Sequence, residues 1–278
     1  MDSTESSSNR FDGRLKNKVA IVTASSDGIG YAIAERFAVE GANVVISSRK
    51  LENVNSAVSK LKSKGLNVFG VKCHVSDAVD RANLFRETVN RYGGVDILVS
   101  NAAANPVAGP VLDCSEGVWD KIFEVNVKAS FLLAKEAAPL IRKRGGGSII
   151  FISSIAGYSP IIRSATPTPV NDTVAKGWQD LLLGAYSVSK TVLLGLTKAV
   201  AQDLVSDNIR VNCVAPGLVR TNFARTLYES KEALDGIPMK RLAEANEIAG
   251  VVAFLASEDA SYITGETIAA TGGRISRL

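Results

Sequence analysis

Short apolar runs alternate along this chain with segments whose apolar residues recur at helical spacing. The apolar runs predict seven β-strands, at residues 19–22, 43–46, 68–73, 96–99, 148–152, 209–215 and 266–270. The segments between them predict helices at residues 31–40, 51–64, 78–92, 119–142, 186–205 and 246–256.

This alternation predicts the fold class. Continuously apolar strands are typical of a parallel sheet covered on both faces, and strand–helix–strand connections are right-handed. We therefore expect an α/β protein with a single-domain, Rossmann-type, doubly wound sheet of seven mainly parallel strands and helices on both faces. No linker divides the chain, so residues 15–273 are expected to form one domain between a disordered tail at 1–14 and a targeting tail at 274–278.

The composition excludes several classes of protein. Apolar residues make up 46% of the 278 residues, too many for a disordered chain. The net charge is only +4 and no dense basic run occurs, so we expect no nucleic-acid partner. No apolar run is long enough to span a membrane. The three cysteines lie far apart, which favours reduced thiols in an intracellular compartment. The single histidine, His74, excludes a multi-histidine metal site and argues against a Ser-His-Asp hydrolase.

The two ends of the chain carry different signals. Residues 1–14 are polar and contain no apolar stretch, so they are not a secretory signal. The chain ends in Ser276-Arg277-Leu278, which differs from the peroxisomal address Ser-Lys-Leu by one basic residue. We expect a peroxisomal import receptor to bind it, and the alternative is a chance match of three residues.

A turn with two glycines joins the first strand to the first helix, and its sequence is Thr23-Ala24-Ser25-Ser26-Asp27-Gly28-Ile29-Gly30. Glycines there let the backbone approach a pyrophosphate, which then lies at the positive N-terminus of the helix. A tight turn without a ligand is the alternative, but the strand–turn–helix context favours a dinucleotide site.

The end of the second strand bears on the form of the nucleotide. NAD sites carry an acidic residue there, about 20 residues past the glycines, which binds the ribose hydroxyls. Here the sequence is Ser47-Ser48-Arg49-Lys50. A guanidinium binds a 2′-phosphate through paired hydrogen bonds, whereas a carboxylate repels it. NADP(H) is therefore favoured, and a solvated arginine at a strand end is the alternative.

At this point the sequence resembles the short-chain dehydrogenase/reductase family. Its glycine turn is similar to the TGxxxGxG motif, with Ala24 in place of the first glycine. Four further motifs follow in the family's order: the NNAG-like Ser100–Ala103, the helix asparagine Asn126, the YxxxK pair Tyr186 and Lys190, and PGxxxT at Pro216, Gly217 and Thr221. The likeness runs from about residue 18 to residue 273.

The resemblance implies that Asn126, Ser154, Tyr186 and Lys190 are catalytic. Tyr186 and Lys190 are four residues apart and share a helix face, so the ammonium is expected to lower the pKa of the phenol. Tyr186 would protonate a carbonyl oxygen to which Ser154 donates a hydrogen bond. Lys190 would hold the nicotinamide ribose, and the main chain of Asn126 a water. The alternatives are a polar residue that kinks a helix (Asn126) and an aromatic at a helix start (Tyr186).

The same resemblance implies a row of cofactor-binding residues: Thr23, Ser25, Asp27, Gly28, Ile29, Gly30, Ser48, Arg49, Lys50, His74, Val75, Asn101, Ala102, Tyr186, Lys190, Pro216, Gly217, Val219 and Thr221. His74 stands where the family carries an aspartate against the adenine ring, although a surface imidazole is equally consistent. Asp77 is expected to cap the next helix. Thr221 would bind the nicotinamide amide or cap a loop. Phe223 and Leu227 line a substrate pocket or form an ordinary helix face.

One spacing departs from the family pattern. Ser154 and Tyr186 are 32 positions apart, whereas the family separates them by about a dozen. The surplus lies within residues 161–183, where Pro167 and Pro169 exclude a regular helix from the first half. Three readings stay open: an inert surface insertion, a lid over the substrate cleft, or an insertion that holds Ser154 away from Tyr186 and inactivates the site.

Two function hypotheses follow. The first is an NADP(H)-dependent carbonyl reductase that acts on a ketone, aldehyde, dicarbonyl or retinal-like substrate, or oxidises the secondary alcohol in reverse. The second is a catalytically weak NADP-binding or interaction protein of the same fold. The resemblance also implies a homotetramer. No metal is expected at the site.

Overall fold

The computed structural model describes residues 13–160, 183–228, 234 and 236–274. This part of the chain contains seven strands: β1 (Val19–Val22), β2 (Asn43–Ser48), β3 (Val68–Lys72), β4 (Ile97–Ser100), β5 (Gly147–Ile152), β6 (Ile209–Pro216) and β7 (Thr267–Ala270). Its α-helices are α1 (Gly28–Val39), α2 (Leu51–Lys62), α3 (Ala78–Tyr92), α4 (Glu116–Phe123), α5 (Ala129–Lys143), α6 (Gly184–Leu204), α7 (Arg225–Tyr228) and α8 (Ala245–Ala256).

The strands form one parallel sheet in the order β3-β2-β1-β4-β5-β6-β7. The chain begins in the middle of the sheet, winds outward through β2 and β3, and then crosses back to lay β4 on the other side of β1. The fold class predicted from the sequence is thus confirmed. The winding reverses between β1 and β4, which is where a doubly wound sheet opens its binding crevice.

Both faces of the sheet are buried, which explains why the strands are mostly apolar. In β1, Ala20 and Val22 pack on the face that carries α1, α2 and α8, whereas Ile21 packs on the opposite face. That second face carries α3, α5 and α6. Because side chains alternate between the faces of a strand, a strand covered on both sides needs apolar residues at consecutive positions.

The predicted helix at 119–142 is wrong in one respect. A π-helical turn, Glu124–Lys128, separates α4 from α5. The cause lies at Asn126, whose buried side chain forms hydrogen bonds outside its own helix. Such π turns are frequent at functional sites. The predicted cap at Asp77 is confirmed, because its carboxylate accepts a hydrogen bond of 2.9 Å from the Asp80 N–H.

We expect Phe37→Ala to lower the free energy of unfolding by about 3–5 kcal/mol. Phe37 lies in α1 and is completely buried in the cluster between the sheet, α1 and α8. Urea denaturation followed by circular dichroism would measure the loss. The matched control is Tyr262→Ala, which removes a fully exposed ring; equal losses in the two variants would contradict the packing described here.

Candidate active site

The turn between β1 and α1 presents free backbone N–H groups. Gly28 has φ +58° and opens α1, while Ala24 is held at φ +49°. The alanine therefore occupies a left-handed conformation that favours glycine, which accounts for the glycine usual at this place. Asp27 is the N-cap residue of α1 but its side chain makes no capping hydrogen bond; its carboxylate instead accepts a hydrogen bond of 2.9 Å from the Asn222 side chain.

Buried hydroxyl and amide groups hold this turn in place. The Asn101 Nδ2 group donates to the Thr23 and Ala24 carbonyls, at 3.1 Å each. The Thr23 hydroxyl in turn accepts from the Asn101 N–H at 3.0 Å. The Ser25 hydroxyl donates to the Val22 carbonyl and accepts from the Ser47 N–H. Thr23 and Ser25 thus stabilise the conformation of the turn, because their hydroxyls form hydrogen bonds with other residues of the protein.

Ser154, Tyr186 and Lys190 lie together at the carboxyl end of β5. Tyr186 and Lys190 are one turn apart on α6, and the Lys190 Nζ lies 5.6 Å from the centre of the tyrosine ring. Ser154 follows β5, and its side chain forms a hydrogen bond with that of Tyr186. The reading in which residues 161–183 hold Ser154 away from Tyr186 is therefore wrong, although residues 161–182 themselves lie outside the described part of the chain.

The start of α6 is fixed by a close approach of two backbones. A Cβ on Gly184 would come within 2.5 Å of the Val111 backbone nitrogen, so only glycine fits there. The Gly184 N–H also donates to the Gly109 carbonyl at 3.1 Å. This contact sets the position of Tyr186, two residues further along the helix.

Burial dominates the electrostatics of the pair on α6. It raises the pKa of Tyr186 above its usual value, and the hydrogen bond from Ser154 only partly offsets this. The expected lowering of the phenol pKa is therefore wrong, because removal of the phenolate from water costs more than the hydrogen bond from Ser154 offsets. Burial also lowers the pKa of Lys190 from 10.5 to about 8, and its Nζ donates to the Ile152 carbonyl at 2.7 Å.

Asn126 connects this pair to the loop after β4. Its Oδ1 accepts a hydrogen bond of 2.7 Å from the Ala104 N–H, and its Nδ2 donates to the Ala104 carbonyl at 3.0 Å. The same Nδ2 donates to the Ser189 hydroxyl at 2.9 Å, next to Lys190. The Asn126 carbonyl accepts from the Ser130 hydroxyl at 2.9 Å.

A cavity of about 500 Å³ joins the glycine turn to the Ser154–Tyr186–Lys190 cluster. Among the predicted site residues, it is lined by Asp27, Gly28, Ile29, Gly30, Asn101, Ser154, Tyr186, Lys190, Pro216, Gly217, Val219 and Thr221. Phe223 and Leu227, predicted to line a substrate pocket or to form an ordinary helix face, also line this cavity. The Phe223 ring centre lies 6.3 Å from that of Tyr186.

Other predicted residues lie outside this cavity. Arg49 and Lys50 are exposed at the end of β2, and the Ser48 carbonyl before them accepts from the Cys73 N–H. Past β3, His74 is half-buried and its Nδ1 accepts from the Ser76 N–H at 3.3 Å. Val75 is buried with its carbonyl bound to Arg81, and the Ala102 N–H donates to the Thr23 hydroxyl.

Several features bear on the remaining expectations. The three cysteines are free thiols. Within the described ranges, no group of three or more His, Cys, Asp or Glu residues is placed to hold a metal ion, and no helix is long and apolar enough to cross a membrane. Ser276-Arg277-Leu278 lies outside the described residues.

Sequence reasoning missed Asn105 and Asn222, which also line the cavity. Asn222 pairs with Asp27, 195 positions away, and no local pattern encodes such a contact. Asn105 left a weak signal, because it stands just past the NNAG-like segment and directly before Pro106.

The chain is similar to proteins of known type over almost its whole length. Residues 18–166 match the family profile described as short chain dehydrogenase, and residues 172–274 match that described as Enoyl-(Acyl carrier protein) reductase. Dehydrogenase/reductase SDR family member 4 of Bos taurus is 53% identical over 268 residues, which cover 95% of this chain and 89% of that protein.

Two solved structures with bound nicotinamide cofactors share the fold. L-sorbose reductase from Gluconobacter frateurii, complexed with NADPH and L-sorbose, has a TM-score of 0.81 and 32% identity, over 95% of this chain and 98% of that one. The 7α-hydroxysteroid dehydrogenase complexed with NADH and 7-oxo glycochenodeoxycholic acid has a TM-score of 0.82 and 30% identity, over 97% and 99% of the two chains.

We expect Lys190 to make stability rise with pH between about 8 and 10.5. Its pKa is about 8 in the folded protein and 10.5 when exposed, so in this window the unfolded chain binds the additional proton. The free energy of unfolding of the wild type should therefore rise relative to that of Lys190→Met as the pH increases. Urea titrations at pH 7.5, 9 and 10.5 measure this difference.

The control for this experiment is Lys198→Met, which removes an exposed lysine from the same helix. If both variants keep a constant offset from the wild type across the window, the lowered pKa of Lys190 is contradicted.

Proposed function

The chain belongs to the short-chain dehydrogenase/reductase family of oxidoreductases, and on that premise we propose that it transfers hydride between NADPH and the carbonyl carbon of a ketone or aldehyde. Oxidation of the secondary alcohol is the reverse reaction. The observation that carries this proposal is the meeting of Ser154, Tyr186 and Lys190 in the cavity that also contains the glycine turn.

The residues of the turn fit a dinucleotide. The N-terminus of α1 has no side-chain cap, so its first N–H groups and the positive end of the helix dipole remain for a pyrophosphate. Pro216, Gly217, Val219 and Thr221 also line the cavity, and they would hold the nicotinamide. When bound, the cofactor supplies the hydride.

The end of β2 supports NADP over NAD. Arg49 and Lys50 are exposed there and provide positive charge for a 2′-phosphate, with Ser48 as a further hydrogen-bonding group. His74 and Val75, past the end of β3, would contact the adenine ring. The relatives themselves use both nucleotides, since one solved structure holds NADPH and another NADH.

Tyr186 would act as the acid in carbonyl reduction. Its raised pKa keeps the proton on the phenol at neutral pH, so the phenol donates it to the carbonyl oxygen as the carbon receives hydride. The products are an alcohol and a tyrosinate. Ser154 donates a hydrogen bond to the same oxygen and stabilises its developing negative charge.

Lys190 would restore the proton and position the cofactor. Its pKa of about 8 lets it exchange a proton near neutral pH, and its ammonium would hold the ribose hydroxyls of the nicotinamide half. We assign the main chain of Asn126, next to this lysine through Ser189, to a water that links Lys190 to solvent.

The cavity favours a neutral substrate. Its described lining contains two charged residues, Asp27 and Lys190, and Asp27 already pairs with Asn222. The remaining wall is largely apolar, with Ile155, Leu183, Leu218, Phe223 and Leu227. Ketones, aldehydes, dicarbonyls and retinal-like carbonyls fit this lining, because Lys190 is assigned to the cofactor and the described lining has no second cation for a carboxylate or phosphate of the substrate.

Further properties remain part of the proposal. The C-terminal Ser276-Arg277-Leu278 would direct the protein to the peroxisome through an import receptor. The family resemblance favours a homotetramer. The tail predicted at residues 1–14 is wrong for Arg14, which donates hydrogen bonds to the buried Glu40 carboxylate, and residues 1–12 lie outside the described part of the chain. The 161–183 segment would serve as an inert loop or a lid over the cavity.

We expect Tyr186→Phe to lower kcat by about 10²–10⁴-fold, because it removes the proton donor. The assay follows NADPH absorbance with aromatic ketones, α-dicarbonyls and retinal as substrates. The affinity for NADPH, measured by fluorescence titration, should change little. If the wild type binds NADPH but does not oxidise it in the presence of any of these carbonyl compounds, the chain is a cofactor-binding protein without this activity.

We also expect Arg49→Gln to weaken NADPH binding at least about tenfold, since a charge-assisted hydrogen bond contributes about 1.5–3 kcal/mol. Binding of NADH, which lacks the 2′-phosphate, should be unaffected. Arg91→Gln, which removes an exposed arginine from the last turn of α3, controls for the loss of charge. An equal loss of affinity for both cofactors would argue against a phosphate contact.

A further inference from the structure

Asn105 lines the cavity and carries a buried hydrogen-bond acceptor that is unsatisfied among the described residues. Its Oδ1 atom is buried and has no hydrogen-bond partner in the described part of the chain, and the residue lines the same cavity as Ser154 and Tyr186. A buried acceptor without a partner costs about 1–3 kcal/mol. Such a group in a native site calls for a ligand or a water that satisfies it.

The backbone on both sides of Asn105 is held in place. On one side, both polar groups of Ala104 are bound by the Asn126 side chain, at 2.7 and 3.0 Å. On the other side, Pro106 restricts the backbone of the residue before it. Further along, the Gly109 carbonyl accepts from the Gly184 N–H at 3.1 Å. The segment 104–109 is thus held at both ends, between the π turn and the start of α6.

The Asn105 amide oxygen determines which ligand groups can bind beside it. Alanine, proline, leucine and phenylalanine side chains line the cavity together with serine, threonine and asparagine side chains. An amide oxygen there would accept a hydrogen bond from an O–H or N–H group, while an apolar ligand would leave it unpaired. Sites built in this way discriminate strongly against analogues that lack the donor.

We propose that Asn105 is a specificity-determining residue that accepts a hydrogen bond from a hydroxyl group of the substrate. The preferred substrates are accordingly hydroxyl-bearing ketones or, in the reverse direction, diols. This inference rests on the proposed carbonyl reduction and adds the substrate class to it.

The test compares two ketones of nearly equal shape, 2-hydroxyacetophenone and propiophenone, which differ by a hydroxyl in place of a methyl group. The wild type should have a higher kcat/KM for the hydroxyketone. Asn105→Leu, which keeps the size of the side chain but removes the acceptor, should lower the ratio of the two kcat/KM values at least about tenfold. It should do so mainly by loss of activity on the hydroxyketone.

Three controls accompany this comparison. Asn53→Leu makes the same chemical change at an exposed position on α2 and should leave the ratio unchanged. Asn105→Ala provides a smaller substitution if the leucine variant does not fold, with the same expected direction. NADPH affinity, measured by fluorescence titration, should be the same in the wild type and both Asn105 variants.

Two results overturn the inference while the proposed function stands. In the first, the wild type reduces both ketones with equal kcat/KM, and Asn105→Leu does not alter either value. A water, rather than a substrate hydroxyl, would then be the partner of the Oδ1 atom. The second is a loss of NADPH affinity in the Asn105 variants, which assigns the acceptor to the cofactor. If the wild type binds NADPH but reduces neither ketone, both proposals fail together.

Discussion

All the described strands run in one direction, and this constraint gathers the chemistry of the protein at one edge of its sheet. The glycine turn follows β1, Asn101 follows β4 and Ser154 follows β5, while Pro216 ends β6. Because these strands are parallel neighbours, segments that are far apart in sequence end side by side. Reversal of the winding between β1 and β4 then leaves a crevice rather than a covered surface at this edge.

A buried asparagine connects the two halves of that crevice. Through one side chain, Asn126 holds the backbone after β4 and the helix that carries Tyr186 and Lys190. Each hydrogen bond contributes about 1 kcal/mol net, but a broken one would leave a buried polar group unpaired at a further cost. The two segments are therefore coupled, and the π turn in the helix is the local distortion that permits this coupling.

The site also concentrates buried polar groups. Burial shifts Tyr186 and Lys190 toward their neutral forms, and the Asn105 oxygen lacks a partner in the described chain. Burial of these groups lowers the free energy of unfolding, whereas the apolar clusters on the two faces of the sheet raise it enough to compensate. Perturbed groups in a cleft are characteristic of functional sites, and here they lie within one cavity.

The sequence by itself determined the fold, because strands buried on both faces are apolar at most consecutive positions and the helices between them are amphipathic. It also identified Tyr186 and Lys190, since four residues on a helix always span one turn. Only the tertiary structure decided which way the pKa of Tyr186 shifts, because burial depends on what covers the ring. It alone brought Ser154 to Tyr186 across 32 positions and Asn222 to Asp27 across 195. Local patterns encode periodicity, but contacts between distant segments arise only when the sheet and its helices pack together.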